Sequence, residues 1–132
     1  MTSKKNVLLY CGTTGDEQFV CSSLEMQERK LREYCDSNGY EVVGVYHENS
    51  PALTFGTERP MIKQMYDYCK SNSGQIDKIL SLNWGRYSRS LEGIFACKRI
   101  FYDELGIEIN TIESPICFTD TEWATIIINS YR

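Results

Sequence analysis

Short apolar runs alternate along the chain with longer segments whose apolar residues recur every three or four positions. The short runs predict four buried strands, at residues 7–10, 41–46, 78–82 and 107–112. The longer segments predict helices after the first three strands, over residues 22–38, 60–70 and 91–105. A further apolar helix is predicted to open at Thr121.

Local signals predict where these helices begin and end. Ser22 and Glu25 form a capping-box pattern at the start of the first helix, and Gly39 is the usual kind of residue just past a helix end. Ser90 is placed to cap the third helix, and Gly106 is predicted to end it.

The alternation of strand and helix predicts a three-layer α/β fold, in which helices flank a mainly parallel β-sheet. A chain of 132 residues is typical of one domain, so a single domain is predicted over residues 1–132. Ligands of such sheets bind beyond the carboxyl ends of the strands. Candidate functional residues are therefore expected in three loops, at residues 11–18, 47–59 and 83–90.

The first loop combines two hydroxyl side chains with two glycines. Thr13 and Thr14 lie between Gly12 and Gly15, directly after the first predicted strand. Such a loop can supply a hydroxyl nucleophile, can cradle a phosphate with its backbone N–H groups, or can be a simple turn. The loop alone does not decide among these three interpretations.

The other two loops carry arginines. Arg86 and Arg89 are three residues apart, so on one helical turn they would face the same way and could hold one phosphodiester between them. Arg59 precedes a predicted helix start, where the helix dipole disfavours a cation unless an anion binds there. A hydroxyl and three arginines at one edge of a sheet indicate nucleophilic attack on a phosphodiester.

Composition limits the possible binding partners of the protein and its cellular location. No apolar run approaches the ~20 residues of a membrane span, so a membrane is not predicted as a partner. A net charge of −4 makes the chain a poor DNA clamp by itself, because non-specific affinity for DNA comes from lysine and arginine. The six cysteines include no C-x-x-C pair and accompany one histidine, so no metal site is predicted and reduced thiols in the cytoplasm are expected.

Four motifs in order resemble the catalytic domain of the resolvase/invertase family, the serine site-specific recombinases, and most of all those of mobile elements. They are YCGTTGDEQ at residues 10–18, SLEMQ at 23–27, ERP at 58–60 and GRYSR at 85–89. The resemblance runs from about residue 7 to residue 125. It implies DNA recombination or integration, with DNA as the partner, a homodimer or a partner recombinase, and neither metal nor cofactor.

The resemblance also implies the residues of the site. In this family a serine attacks the scissile phosphate and becomes covalently joined to the DNA 5′ end, and Thr14 stands at its position. The implied catalytic residues are Thr14, Gln18, Arg59, Arg86 and Arg89. The implied DNA-phosphate-binding residues are Arg59, Arg86, Arg89, Gln27 and Ser50.

Three departures from the family pattern predict impaired chemistry. Thr14 replaces the serine, Gly12 replaces an arginine, and Gly85 replaces the acidic residue before the arginine pair. The branched Cβ of threonine restricts its side chain and crowds the attack. The long dimerisation helix and the DNA-binding region of the family are expected to be absent after Arg132.

Two other hypotheses remain open from the sequence. One is an impaired homologue that acts only by associating with DNA or with a partner recombinase. The other is a flavodoxin-like phosphate- or nucleotide-binding domain, which the threonine- and glycine-containing loop would suit. The second hypothesis leaves Arg86, Arg89 and the ERP motif unexplained.

Overall fold

The structure, a computed structural model, describes residues 4–13, 20–49, 59–88 and 90–116. Its four strands are β1 Asn6–Thr13, β2 Glu41–Asn49, β3 Lys78–Ser81 and β4 Glu108–Thr111. Its helices are α1 Val20–Ser37, α2 Pro60–Ser71, α3 Trp84–Tyr87 and α4 Leu91–Lys98. The last of these continues into a π-helical segment, Arg99–Asp103.

The four strands form one parallel sheet in the order β2-β1-β3-β4. β1 is therefore central, with β2 on one side and β3 on the other. Its residues 7–11 are fully buried, as expected for a strand covered on both faces. This arrangement confirms the predicted α/β fold with a parallel sheet and flanking helices.

Residues of β1 alternate between two apolar clusters, one on each face of the sheet. Leu8 and Tyr10 belong to the larger cluster, which also contains residues of α2, α3 and α4. Val7 and Leu9 belong to the smaller cluster, which contains Leu31 of α1. Because successive strand residues point to opposite faces, one short run of sequence builds both cores.

Several boundaries differ from the sequence-based expectations. β1 extends to Thr13 and β2 to Asn49, because the two strands pair with each other through this region, as in the Gly12–Glu48 register pair. The prediction that a capping box at Ser22 starts the first helix is wrong, since α1 already includes Val20. The predicted helix at Thr121 lies outside the described residues.

Other end signals are confirmed. Gly39 follows α1 with φ of 68°, in the left-handed region that favours glycine. The Ser90 side chain accepts a hydrogen bond from the backbone N–H of Gly93 at 3.0 Å and so caps α4. Among the described residues, no helix is long and apolar enough to cross a membrane. Cys11, Cys35, Cys69 and Cys97 are free thiols.

Candidate functional site

The carboxyl end of β1 is held by a buried glutamine from α1. The side-chain oxygen of Gln27 accepts from the Gly12 N–H at 3.1 Å, and its nitrogen donates to the Gly12 carbonyl at 3.0 Å. Gln27 is fully buried, so both bonds are shielded from water. The amide thus fixes the backbone of Gly12 as a neighbouring strand would. Gln27 lies at the predicted site, where it contacts backbone.

Arg59 lies at the same strand end, directly before α2, and is 2% exposed. Its Nη1 donates to the Arg86 carbonyl at 2.6 Å, to the Tyr10 hydroxyl at 3.2 Å and, more weakly, to the Tyr87 carbonyl at 3.5 Å. The two carbonyls are the last of α3, where a helix presents unpaired acceptors and partial negative charge. Arg59 therefore fastens the end of α3 to the start of α2.

The carboxylate of Glu48 compensates the unfavourable interaction between the Arg59 cation and the N-terminus of α2. Glu48 of β2 is 3% exposed, and its two oxygens lie 3.1 and 3.3 Å from the backbone nitrogen of Met61, in the first turn of α2. The Tyr10 hydroxyl donates to Glu48 at 3.1 Å and accepts from Arg59. The anion stabilises the helix N-terminus, and Tyr10 connects it to the guanidinium.

Arg86 reaches β1 from α3. Its Nη1 donates to the Gly12 carbonyl at 3.3 Å, a long bond. Its Nε is buried and has no hydrogen-bond partner among the described residues. The whole side chain is only partly buried. Arg86 is therefore held at the strand end by a longer hydrogen bond than the one that Arg59 makes to the Arg86 carbonyl.

Two aromatic side chains anchor the short α3 helix. The Tyr87 ring stacks on Tyr10 with centroids 5.5 Å apart, and its hydroxyl donates to the Asn110 carbonyl at 2.7 Å. The Trp84 indole donates to the Ser114 carbonyl at 2.9 Å. The sequence pattern predicts a loop here. The spacing of Trp84 and Tyr87, three residues apart, was the signal that could have predicted this turn.

The structure brings three of the predicted site residues together: Gln27, Arg59 and Arg86 all contact the end of β1 or the turn packed on it. The predictions for Thr14, Gln18, Ser50 and Arg89 concern residues outside the described ranges. The helical-spacing argument for Arg86 and Arg89 is wrong, because α3 ends at Tyr87 and Ser88 is extended. Glu48 and Tyr10 are site residues that the sequence analysis did not single out.

Burial removes two nearby groups from consideration as nucleophiles. Burial raises the pKa of the Cys11 thiol to about 12, so it stays protonated near neutral pH. Burial likewise raises the pKa of Tyr10 far above its usual value, so its hydroxyl remains a donor to Glu48. The described residues contain no cluster of histidine, cysteine and carboxylate side chains able to hold a metal ion.

The chain was compared with models of known protein families. Its parallel sheet, with two arginines at the end of the central strand, agrees with the family that this comparison finds. The model described as resolvase, N-terminal domain, matches residues 9–130. The chain belongs to the resolvase family. The predicted site-specific recombinase catalytic domain is confirmed at this level, and the flavodoxin-like alternative is not favoured. The family assignment also supports DNA as a partner of this resolvase domain.

Solved structures of serine recombinases share the fold. The N-terminal catalytic domain of TP901-1 integrase is 19% identical with a TM-score of 0.75, over 96% of this chain and 95% of that one. A resolvase family site-specific recombinase from Streptococcus pneumoniae is 20% identical with a TM-score of 0.76, over 96% and 85% of the two chains.

A third structure is the C-terminal catalytic domain of ISC1926 TnpA, an IS607-like serine recombinase. It is 20% identical with a TM-score of 0.66, over 95% of this chain and 79% of that one. At these identities the similarity establishes the resolvase fold. No curated protein sequence matches the chain significantly.

Proposed function

We propose that this resolvase domain cleaves and rejoins DNA strands through the hydroxyl of Thr14. The Thr14 oxygen attacks the scissile phosphorus, the bond from phosphorus to the 3′ oxygen breaks, and that oxygen leaves with a proton as a 3′ hydroxyl. The DNA 5′ end is then joined to Thr14. Attack by a 3′ hydroxyl on this linkage reverses the step, restores the phosphodiester and returns the proton to Thr14.

The observation that carries the proposal is the place of Arg86. Its guanidinium donates to the carbonyl of Gly12, two residues before Thr14 in the chain. Arginine suits a phosphodiester because its planar donors match the phosphate oxygens and stabilise the charge of the transition state. Arg89 and Ser50 are proposed as further phosphate contacts, and Gln18 as a polar support.

Arg59 and Gln27 contribute to the proposed site by positioning other residues. Gln27 fixes Gly12, and Arg59 fixes the carbonyl of Arg86 at 2.6 Å. Both therefore position the parts of the site. Direct contact of either side chain with a DNA phosphate stays a prediction from the sequence. The buried place of Arg59 favours the positioning role.

The rate is expected to be low. Thr14 has a crowded hydroxyl, and Gly12 and Gly85 supply neither the arginine nor the carboxylate of the family pattern. Loss of one transition-state donor typically costs about 3 kcal/mol. Because the net charge is −4, we also propose that the domain works together with a DNA-binding segment and a second copy or partner recombinase. The cysteine pattern supports the further proposal that it works in the cytoplasm.

The test is covalent trapping of DNA. The chain is joined to a zinc-finger module and incubated with supercoiled plasmid carrying paired finger sites, and protein-linked DNA is measured after denaturation. Thr14→Ser is expected to increase the adduct, because serine removes the crowding methyl group. Thr14→Val has the same shape without the hydroxyl and is expected to abolish it.

Digestion of the adduct and mass spectrometry then locate the linked residue. A nucleotide on residue 14 supports the proposal. An adduct that persists in Thr14→Val contradicts it, and so does the absence of any adduct from Thr14→Ser when the chimera occupies its sites. In the second case, association with DNA or a partner without chemistry becomes the better explanation.

A further inference from the structure

Gly12 has no side chain at a place where the structure leaves no room for one. A Cβ built on it would lie 2.7 Å from the Arg86 carbonyl oxygen and 3.1 Å from a ring carbon of Tyr10. The first distance is shorter than real Cβ contacts, and the atom in the way belongs to a backbone. The main chain of α3 therefore occupies the space that a residue-12 side chain would need.

The backbone of Gly12 contacts Arg86 a second time. Its carbonyl accepts from the Arg86 Nη1 at 3.3 Å and from the Gln27 amide at 3.0 Å. Arg86 thus approaches residue 12 with both its own carbonyl and its guanidinium. Arg59 closes the arrangement by donating to the same Arg86 carbonyl. One glycine and its glutamine clamp set both the backbone and the side-chain position of Arg86.

We propose that Gly12 is a positioning residue: because it lacks a side chain, α3 packs onto the end of β1 and Arg86 is held where it meets the phosphate. The inference rests on the proposed function, and it reinterprets one departure from the family pattern. Gly12→Arg displaces α3 and does not repair the site. Gly85→Asp is accommodated, since the nearest contact of a Cβ at Gly85 within the described part of the chain is the Asn83 side-chain oxygen at 3.4 Å.

The experiment compares alanine at three glycines by nitrogen-15 NMR. Gly12→Ala is the test. Gly85→Ala is the control in the same turn, with an ordinary contact. Gly44→Ala is the control for packing stress elsewhere, because its Cβ would lie 2.9 Å from the Leu8 side chain. The Nε–Hε signal of Arg86, assigned by its disappearance in Arg86→Lys, is recorded without ligand and during titration with inorganic phosphate.

In Gly12→Ala the Arg86 signal is expected to shift in the ligand-free protein, and phosphate affinity is expected to fall about tenfold, the value of one hydrogen bond to a charged group. Both controls should keep the wild-type signal and affinity. If Gly12→Ala does not fold, Gln27→Ala replaces it, since loss of the clamp frees the Gly12 carbonyl and should shift the same signal.

A Gly12→Ala protein whose Arg86 signal and phosphate affinity match those of Gly85→Ala overturns the inference, as does an unshifted signal in the folded Gln27→Ala protein. The ligand-free spectra separate this result from failure of the proposed function. If wild type binds no phosphate but Gly12→Ala still shifts Arg86, the positioning by Gly12 stands and the phosphate role fails.

Discussion

The start of α2 and the α3 turn each bring an arginine to the end of β1, yet the two side chains have different surroundings. Arg59, before α2, is 2% exposed and donates to a backbone carbonyl at 2.6 Å. Arg86, in α3, is partly exposed and donates to a backbone carbonyl at 3.3 Å.

The difference shows that residue type and chain position do not settle an arginine's role. Near Arg59, the carboxylate of Glu48 and the hydroxyl of Tyr10 complete a buried polar network. Breaking such a network leaves polar groups unsatisfied away from water, which is costly. Near Arg86, one long bond can be exchanged for a phosphate at little cost. We therefore expect Arg59 to support the fold and Arg86 to be the arginine that binds a phosphate.

The largest expected effect is on stability. Arg59→Ala is expected to lower the free energy of unfolding by at least about 3 kcal/mol, because it leaves the α3 carbonyls and the Tyr10–Glu48 pair without their buried donor. Arg86→Ala is expected to lower it by less than about 1 kcal/mol. Urea denaturation of both variants measures the difference. Equal losses would remove the distinction between the two arginines.

A smaller effect is expected from the hydroxyl between Glu48 and Arg59. Tyr10→Phe keeps the ring that stacks on Tyr87 but removes two buried hydrogen bonds. We expect a loss of about 1–2 kcal/mol in unfolding free energy. Tyr66→Phe is the matched control, because its hydroxyl bonds Glu104 in an exposed setting and its loss should cost under about 0.5 kcal/mol. Similar losses for both would mean that Tyr10 adds no support to Arg59.

The smallest effect concerns an arginine on the surface. Arg32 donates to Glu28 at 2.7 Å, and this bond, with a second from His47, holds the pKa of Glu28 below its usual value. A lowered folded-state pKa stabilises the protein above the unfolded value of 4.5, and the contribution is lost as pH falls through the folded value.

Glu28→Gln is therefore expected to cost about 0.5 kcal/mol near pH 6 and almost nothing near pH 3, measured by urea denaturation. An equal cost at both pH values would contradict the ionic origin of this contribution. A cost as large as that of Arg59→Ala would contradict the contrast between exposed and buried arginines.

Much of the fold follows from local patterns in the sequence. The apolar runs predict all four strands, and signals such as Ser90 and Gly39 place helix ends correctly. The extension of β1 to Thr13 has no local signal, because it depends on pairing with β2, far along the chain. The α3 turn has one local signal, the three-residue spacing of Trp84 and Tyr87, but the carbonyls that anchor these two side chains lie at residues 110 and 114.

The candidate site also has some features that the sequence predicts and others that depend on tertiary structure. Motifs predicted that Gln27, Arg59 and Arg86 belong to one site, and the structure brings these three residues together. The sequence could not predict that Arg59 would be buried against α3, because that depends on the tertiary position of two carbonyls. It also could not predict that a residue-12 side chain would collide with a backbone oxygen.

The most direct test of the central claim follows both arginines in one sample. Inorganic phosphate is titrated into nitrogen-15-labelled wild-type protein, and the Nε–Hε signals of Arg59 and Arg86 are recorded together. We expect the Arg86 signal to move until it saturates, while the Arg59 signal stays in place and its proton exchanges slowly with water. An Arg59 signal that moves as far as that of Arg86, or an Arg86 signal that does not move, would contradict this expectation.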